Sequence, residues 1–445
     1  MEAIVPIAVL VAALLLGQGF AKSARAGFTV AIGLLGIRLV VLLLCNVVGP
    51  SAVGFAATLG VKLDVLDVGW PTAAGMSFAS PIAAIVVPVV IALNLAMVAA
   101  RVTRTLDVDL WNYWHFIYGA ALVRAATGST LLGVLSACVT VVVVLKLADW
   151  TAPIVDKELG LPGISLPHTE SVNWAPLMFA LDRITRHVFR GKDLDAAKLR
   201  ARLGVLGEPL VIGGGIGAIL GALGGLRAAK EHDWLTWSRV TLTAAVTTAA
   251  VLVILPKVVA ILMEGLIPVA EGARDFMTKR FPDRDLLIGL DSAVIVGQPH
   301  VMAIALACVP ICMVLALVLP GVHMLPLADL TALPFYIVWG VIAARGHVGR
   351  GLVHAIVIVI VILYVGTSLA PLTTEIALER GYRDAYTMPA WSGLAVGSHL
   401  IPWILVMLSR PGQPSFFVGV GAAIVYAGAW AWVRKDLRAR ANASP

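Results

Sequence analysis

Three ionisable side chains stand inside apolar stretches where the chain has no ordinary use for them. His115 lies in DLWNYWHFIYG, His168 in LPGISLPHTESVNW and Asp291 in LLIGLDSAVIVG, where it is the only charge between Asp285 and Asp329. Ionisable groups at membrane depth are costly, and by default they mark functional positions. A lone carboxylate such as Asp291 must find a partner, a ligand or a proton, unless it caps a helix start. Asn112 lies three residues before His115, so on a helix the two share a side. Together they offer hydrogen-bond donors and acceptors to a polyhydroxylated solute. Pro162 and Pro167 forbid regular helix near His168, which is expected on extended or turn backbone with Ser165, Thr169 and Glu170 beside it. The plainer readings are an interfacial aromatic belt for Trp111, Tyr113 and Trp114 and a solvated loop for His168. Asp67, Trp70, Asn94, Gln298, His300 and Glu208 form a second rank. Asn94, on an apolar helix, is expected to bond between helices rather than to a ligand.

Other chemistry does not rise from the sequence. There is no HExxH or CxxC spacing and no nucleophile elbow, so no metal and no cofactor is expected. The four cysteines, Cys45, Cys138, Cys308 and Cys312, all lie in apolar runs, where a thiol behaves as a small hydrophobe.

The elements that must position these residues are membrane helices. Hydrophobic residues make up 60% of the 445 and charged residues 13%, about half the ~25% of a soluble domain. A bilayer-crossing helix needs ~20 apolar residues. Charge-free runs of about that length are Ala3–Ala21, Ala125–Leu145, Pro209–Leu226, Gly351–Thr374, Ala385–Ser409 and Pro411–Val433. None alternates as the ~10-residue strands of a membrane barrel do. The net charge of +7 is no nucleic-acid signal, because the cations sit between the apolar runs. Lys22 and Arg25, Arg101 and Arg104, Arg183 to Arg202, Arg274 to Arg284, and Arg434 to Arg440 are therefore expected in the cytoplasm. That places the C-terminus inside and, with Glu2 before the first run, the N-terminus outside a plasma or inner membrane, which requires an odd number of spans. The first run has no basic n-region and no clear cleavage site, so it is not read as a signal peptide.

Two stretches, Val68–Ala100 and Ser292–Ala328, are too long for one helix and polar in their first thirds. They lie half a chain apart: Pro299 follows Pro81 by 218 residues, and Asp329 follows Asp109 by 220. Such an offset predicts two inverted repeats, 1–205 with a basic cytoplasmic loop at 183–205, and 206–445 with a basic tail. Broken or re-entrant helices over Val68–Pro81 and Ser292–Pro299 would then point to a binding site at the midplane. Gly213, Gly217, Gly221 and Gly225 recur every four residues. With no preceding strand and no Lys-Ser/Thr pair they are not a nucleotide loop, and they are expected to let another helix approach closely.

Taken together, the segments DVGWP (67–71), ASPIAAIVVPVVIALNLAM, TRTLDVDLWNYWH (103–115), ATGS (126–129), KLADW (146–150), GISLPH (163–168), GEP (207–209), PKVVAILMEGLIPVAEGAR (256–274), LLIGLDSAVIVG (286–297) and LPLADLTALPF (325–335) resemble the IIC component of the galactitol-type phosphotransferase system (PTS). The more distant ascorbate-type IIC proteins are similar through the histidine near 103–115, GISLPH and the aspartate of GLDS. The resemblance implies an all-α polytopic fold of about eleven spans with re-entrant hairpins. It also implies two inverted repeats, a homodimer with a scaffold domain, and a core domain that carries the sugar by an elevator-like motion. A separate IIB protein, charged through IIA, would present a phosphocysteine to the bound substrate. Carried to matching positions, His115, His168 and Asp291 would line the site, with Gln298 and Thr169 nearby. The family's GIxxPHG glycine is replaced here by Thr169, and a histidine near GLDxxxxxG by Gln298, which bears on substrate identity.

The expected function is thus a PTS permease subunit for a galactitol-like polyol, not an enzyme in itself. Its pocket would be drawn from His115, His168, Asp291, Asn112, Gln298, Thr169 and Trp70. Asp291 or His168 would accept the proton of the reacting hydroxyl. The alternative is an ion-coupled secondary transporter of a small polar solute on the same scaffold, with Asp291 as coupling site and no IIB partner.

Overall fold

The computed structural model describes residues 4–60, 62–189, 204, 208–280, 286–296, 298–380 and 390–442. The expected cytoplasmic segment around Lys192–Arg202 lies largely outside them, as do the side chains of Cys45, Arg274 and Arg284.

The chain is mostly helical. Helices α1 (Ile4–Leu15) and α2 (Phe20–Leu59) lead to strand β1 (Val65–Asp67), then α3 (Trp70–Phe78) and α4 (Ala83–Ala99). Strand β2 (Thr105–Asp107), α5 (Tyr113–Thr127), α6 (Thr130–Lys157), β3 (Ile164–Ser165), α7 (Thr169–Val172) and α8 (Ala175–Val188) follow. Helices α9 (Pro209–Gly224), α10 (Leu226–Lys230) and α11 (Trp234–Arg280) precede β4 (Leu287–Gly289), α12 (Ala293–Val296) and α13 (Pro299–Val318). The chain continues through β5 (Met324–Leu325), α14 (Leu333–Ala343), α15 (Val348–Glu379), β6 (Ala390–Ser392), α16 (Leu394–Ser398), α17 (Leu400–Leu408) and α18 (Pro414–Asn442).

Among the described residues six helices are long and apolar enough to cross a bilayer: Phe20–Ile37, Thr130–Lys157, Trp234–Ile254, His300–Val318, Val348–Glu379 and Pro414–Lys435. A seventh candidate is the pair α3 and α4, bent by 94° at its break, within the first of the two overlong stretches. The second divides as well, into α12 and α13.

Three charge-free runs prove not to be single helices, the first being Ala3–Ala21, which is divided between α1, ending at Leu15, and α2, starting at Phe20. Ala125–Leu145 is cut by Gly128, whose φ of 72° gives α5 a left-handed C-cap, and by Ser129, whose hydroxyl accepts the N–H of Leu132 as the N-cap of α6. In Ala385–Ser409 the described part forms a strand and two short helices, because Ala390–Ser392 pairs with β1 instead of continuing as helix. The four-residue glycine spacing does what was expected of it. A Cβ on Gly213 or Gly221 would fall within 3 Å of Ala249 or Thr241 backbone on α11, so α9 and α11 meet at a spacing only glycine permits.

Among the described residues six strands, each of two or three residues, are an addition to the all-α expectation. They form two fully parallel sheets, in the orders β5-β1-β6 and β2-β4-β3. The central strand of one, β1, is early in sequence and its neighbours late; the central strand of the other, β4, is late and its neighbours early. Leu66 pairs with Leu325 and Trp391, and Ile288 pairs with Leu106 and Ile164. Extended backbone at membrane depth is tolerated only where protein or a cavity covers it. Here β1 and β2 are buried along their whole length. Around both crossings lies the densest core, with Trp114, Trp174, Trp339 and Trp391 fully buried.

Carboxylates seal the first crossing. Oδ1 of Asp67 accepts the N–H of Gly69 (3.0 Å) and Oδ2 those of Leu327 (3.0 Å) and Asp329 (3.2 Å). Oδ1 of Asp329 accepts from Trp70 N–H (2.5 Å) and Oδ2 from Ala395 N–H (2.8 Å). These bonds tie the ends of β1, β5 and β6 together and set the start of α3, and with it Trp70.

Candidate functional site

Strand β4 delivers Asp291 two residues beyond its end, and β3 delivers His168 three residues beyond its own. Because the strands are neighbours in one parallel sheet, both side chains emerge on the same side of the second crossing. Pro167 keeps the backbone extended, and the His168 carbonyl then accepts the N–H groups of Ser171 and Val172 to open α7. The two segments are stitched by a Ser171–Ser292 hydroxyl pair at 2.5 Å. Asp291 is fixed from behind: its N–H donates to Asp109 Oδ2 (3.1 Å), and its Oδ1 accepts from Ala293 N–H (2.8 Å).

The carboxylate of Asp291 finds its partner in His168, with Nδ1 3.2 Å from Oδ1. The same Nδ1 lies 3.3 Å from the N–H of Ser292. One nitrogen cannot accept from Ser292 and donate to Asp291 at once, so only one of these two contacts is a hydrogen bond in a given tautomer. On the other side of the ring Nε2 stands 3.7 Å from Glu170 Oε2. His168 is 4% exposed, which excludes the solvated-loop reading.

Trp70, Trp111, Trp114, Ala332 and Phe335 complete a cleft with His168, Glu170 and Asp291, enclosing about 320 Å³ including its open mouth. Trp70 and Trp111 pack edge-to-face at 5.7 Å, and Phe335 stands edge-on to His168 at 5.7 Å. The aromatic-belt reading of Trp111, Tyr113 and Trp114 is overturned, since all three are buried at 5% exposure or less. Their neighbours are the interior of the protein, and a belt residue faces the headgroups.

On and beside the residues of the cleft is a set of buried polar atoms with no protein partner: His115 Nε2, Glu170 Oε1, both side-chain atoms of Asn112, and Thr169 Oγ1. Asp107 Oδ1 is a further one. Buried polar groups are nearly always bonded, so such a concentration marks a place built for something else to bond. His115 sits against His168 at a ring spacing of 4.8 Å and bonds through Nδ1 to His399 Nε2 at 2.9 Å. His115, Glu170 and His399 also offer three ligand atoms within 4.8 Å of one another, a set that could hold a cation.

The sequence-derived residues separate into three groups. Asp291, His168 and Trp70 line the cleft; His115, Asn112 and Thr169 are fully buried around it with unfilled bonding capacity. Gln298 is the half-buried N-cap residue of α13 and is not among the cleft-lining side chains, while Glu208 and His300 are exposed. Asn94 bonds to Thr105 and Asp107 backbone (2.9 and 3.0 Å) and is saturated by holding the edge of β2. Asp67 seals the first crossing. Glu170 was noted only as a neighbour of His168, and His399 was missed. The signal for it was present, since it is an ionisable residue in a charge-free run, the criterion that singled out His115.

The model for the PTS system sugar-specific permease component matches residues 2–383. An Escherichia coli (strain K12) protein named only as a permease IIC component is 36% identical over 419 residues, 94% of this chain and 93% of the relative. The PTS system galactitol-specific EIIC component of the same strain is 32% identical over 419 residues, covering 94% and 90%. The galactitol-specific component of Escherichia coli O157:H7 is equally similar.

Proposed function

Because this chain belongs to the family of PTS sugar-specific permease components, a membrane permease subunit rather than an enzyme in itself, we propose that it binds a galactitol-like polyol in the cleft around Asp291. In this reading it moves the polyol across the inner membrane for phosphorylation by a cytoplasmic IIB phosphocysteine, itself charged by IIA. The observation that carries the reading is the buried, unsatisfied polar set beside the Asp291–His168 pair. A neutral polyol brings only hydroxyls, each a donor and an acceptor, and can fill His115, Glu170, Asn112 and Thr169 without bringing charge into the bilayer. A site of this kind rejects analogues that lack a hydroxyl, because its own groups then stay unpaired. Trp70, Trp111, Trp114 and Phe335 supply apolar faces for the carbon chain.

In the transfer step a substrate hydroxyl oxygen bonds to phosphorus as the S–P bond of the phosphocysteine breaks and its thiolate leaves. The hydroxyl proton passes to a base. Asp291 is the better placed acceptor, its side chain being 17% exposed in the cleft against 5% for His168. His168 then steadies the proton from Nδ1. Among the described cysteines none is a candidate phosphate carrier, as Cys308 and Cys312 are buried and Cys138 lies within α6, and the reading takes the donor to be a second polypeptide.

The wider frame follows the same reading. About eleven spans, two inverted repeats meeting at the two sheets, a homodimer, and an elevator motion of the cleft against a scaffold of α1, α2, α9 and α11 are all proposed. So are the outside N-terminus and inside C-terminus. The interchange of strands, each central strand flanked by strands of the other half, supports the repeats. So does the matching pair of bonds by which Asp109 holds the N–H of Asp291 and Asp329 that of Trp70.

The test is uptake into vesicles with a collapsed proton gradient. Labelled galactitol should appear inside as its phosphate only when phosphorylated IIB is supplied. In a second arm with an ion gradient imposed and IIB withheld, accumulation of unmodified polyol would instead establish the ion-coupled transporter, which the carboxylates at Asp107, Asp109 and Asp291 favour.

A further inference from the structure

We propose that His399 is a positioning residue that fixes the tautomer of His115, so that His115 Nε2, buried beside the cleft, is presented as a hydrogen-bond acceptor to a hydroxyl donor of the solute. The substrate half of this statement rests on the polyol reading above. The tautomer half stands on geometry alone.

The chain of inference starts at a carbonyl. His399 Nδ1 lies 2.7 Å from the carbonyl oxygen of Ala395, four residues back. A carbonyl only accepts, so that nitrogen carries the hydrogen. In a neutral ring Nε2 of His399 is then a lone pair. It faces His115 Nδ1 at 2.9 Å, so His115 Nδ1 must carry the hydrogen. The remaining nitrogen of His115, Nε2, is left as an acceptor, and it is buried with no partner. Glu170 Oε1 is a further buried oxygen without a protein partner, which a second hydroxyl of the solute can meet as donor or as acceptor.

The fold holds the relay in place. His399 is the break between α16 and α17, ending one helix and starting the next. Its ring packs edge-on to Trp114 at 5.0 Å and Tyr118 at 5.5 Å. Tyr118 spends its hydroxyl on Thr373 (2.6 Å), so it does not compete for His399. Across the cleft Asn173, which caps α7, accepts the N–H of Leu400 through Oδ1 (3.0 Å), locking the His399 segment to the His168 segment.

A metal ion is the competing occupant, and the spacing decides against it. Zinc–nitrogen bonds are about 2.0–2.1 Å long, and at a tetrahedral angle they hold two nitrogens farther apart than the 2.9 Å found between His115 and His399. That separation is a hydrogen bond.

The experiment is 15N spectroscopy of the ring nitrogens in the purified full-length protein. The His115 signals are assigned by their loss in His115→Gln. Wild-type protein should show His115 protonated at Nδ1 only, and His399→Leu should move that proton or scramble it. His399→Gln, whose amide oxygen reaches the place of Nε2, should preserve the tautomer. In parallel, galactitol affinity should fall ~10-fold or more in His399→Leu and stay within ~3-fold in His399→Gln, a tenfold change being 1.4 kcal/mol. A wild-type His115 that is charged or protonated at Nε2 overturns the proposal, and no variant is needed to see it. So does an unchanged tautomer in His399→Leu, or a stoichiometric metal in the purified protein. If the tautomer behaves as stated and no polyol binds, the relay stands and the polyol reading falls.

Discussion

At the first strand crossing the four carboxylate oxygens of Asp67 and Asp329 all accept backbone N–H groups, five in total from three segments of chain. At the second crossing, built from the same kind of parallel three-stranded sheet, Asp107, Asn112, His115, Thr169 and Glu170 all keep buried atoms without partners. The contrast separates two uses of buried polarity. A saturated network is rigid and specifies one backbone arrangement, whereas an unsaturated one carries a standing cost that only another molecule can relieve. Both crossings place carboxylates at strand ends, so the residue type alone does not tell a lock from a site. Between these two crossings the filled bonds differ, although single unpartnered atoms occur elsewhere too, at Trp150, Trp174 and Trp339.

The comparison can be broken in several places. The largest effect is expected from Asp291→Asn, which keeps the shape of the second crossing and removes the base. Phosphorylation-coupled uptake should drop ~100-fold or more, the usual worth of general-base catalysis, with little change in melting temperature. Uptake at the wild-type rate would remove Asp291 from the mechanism. Glu170→Gln should lower galactitol affinity ~10-fold and leave the fold as stable as before, because Oε1 bonds to nothing in the protein. A clear fall in melting temperature would mean that Glu170 is structural.

The first crossing should answer in the opposite sense. In Gly393→Ala the new Cβ would stand 2.9 Å from Asp329 Oδ2 and 3.0 Å from Asp67 Oδ1. Overpacking of this kind costs about 1–3 kcal/mol, read as a lower melting temperature in detergent, while affinity for polyol in the folded fraction is unchanged. The smallest effect is expected from Asn94→Ala, which frees the Thr105 carbonyl and the Asp107 N–H at the edge of β2. About 1–3 kcal/mol is lost for groups left unsatisfied in the interior, less if water reaches them. Amide exchange should rise at Asp107 and not at Leu66.

How much of this was legible in the sequence follows from the same physics. His115, His168 and Asp291 could be found because an ionisable group in an apolar run has few reasons to be there, and the structure brings all three to one place. The break in Val68–Ala100 was readable from Gly, Pro and Ser. The strands were not, since two or three residues give no period to detect and their partners lie hundreds of residues away. Ala385–Ser409 read as a span because hydropathy averages over Gly393 and Gly397, and the same averaging hid His399. Trp111 and Trp114 misled because amphipathic rings beside aspartates look alike at a headgroup and at a cleft.

The interlaced sheets also have a consequence for biosynthesis. Strand β1 is translated long before its neighbour β6, whose residues Ala390–Ser392 follow Val65–Asp67 by 325 positions. At roughly 5–20 residues per second, β1 waits about 15–60 s inside or beside the insertion machinery with its backbone groups unpaired. The sheet closes only when the late strands arrive. A ribosome stalled before β6 would therefore release a membrane-inserted chain with an open strand edge, a ready substrate for quality-control proteases.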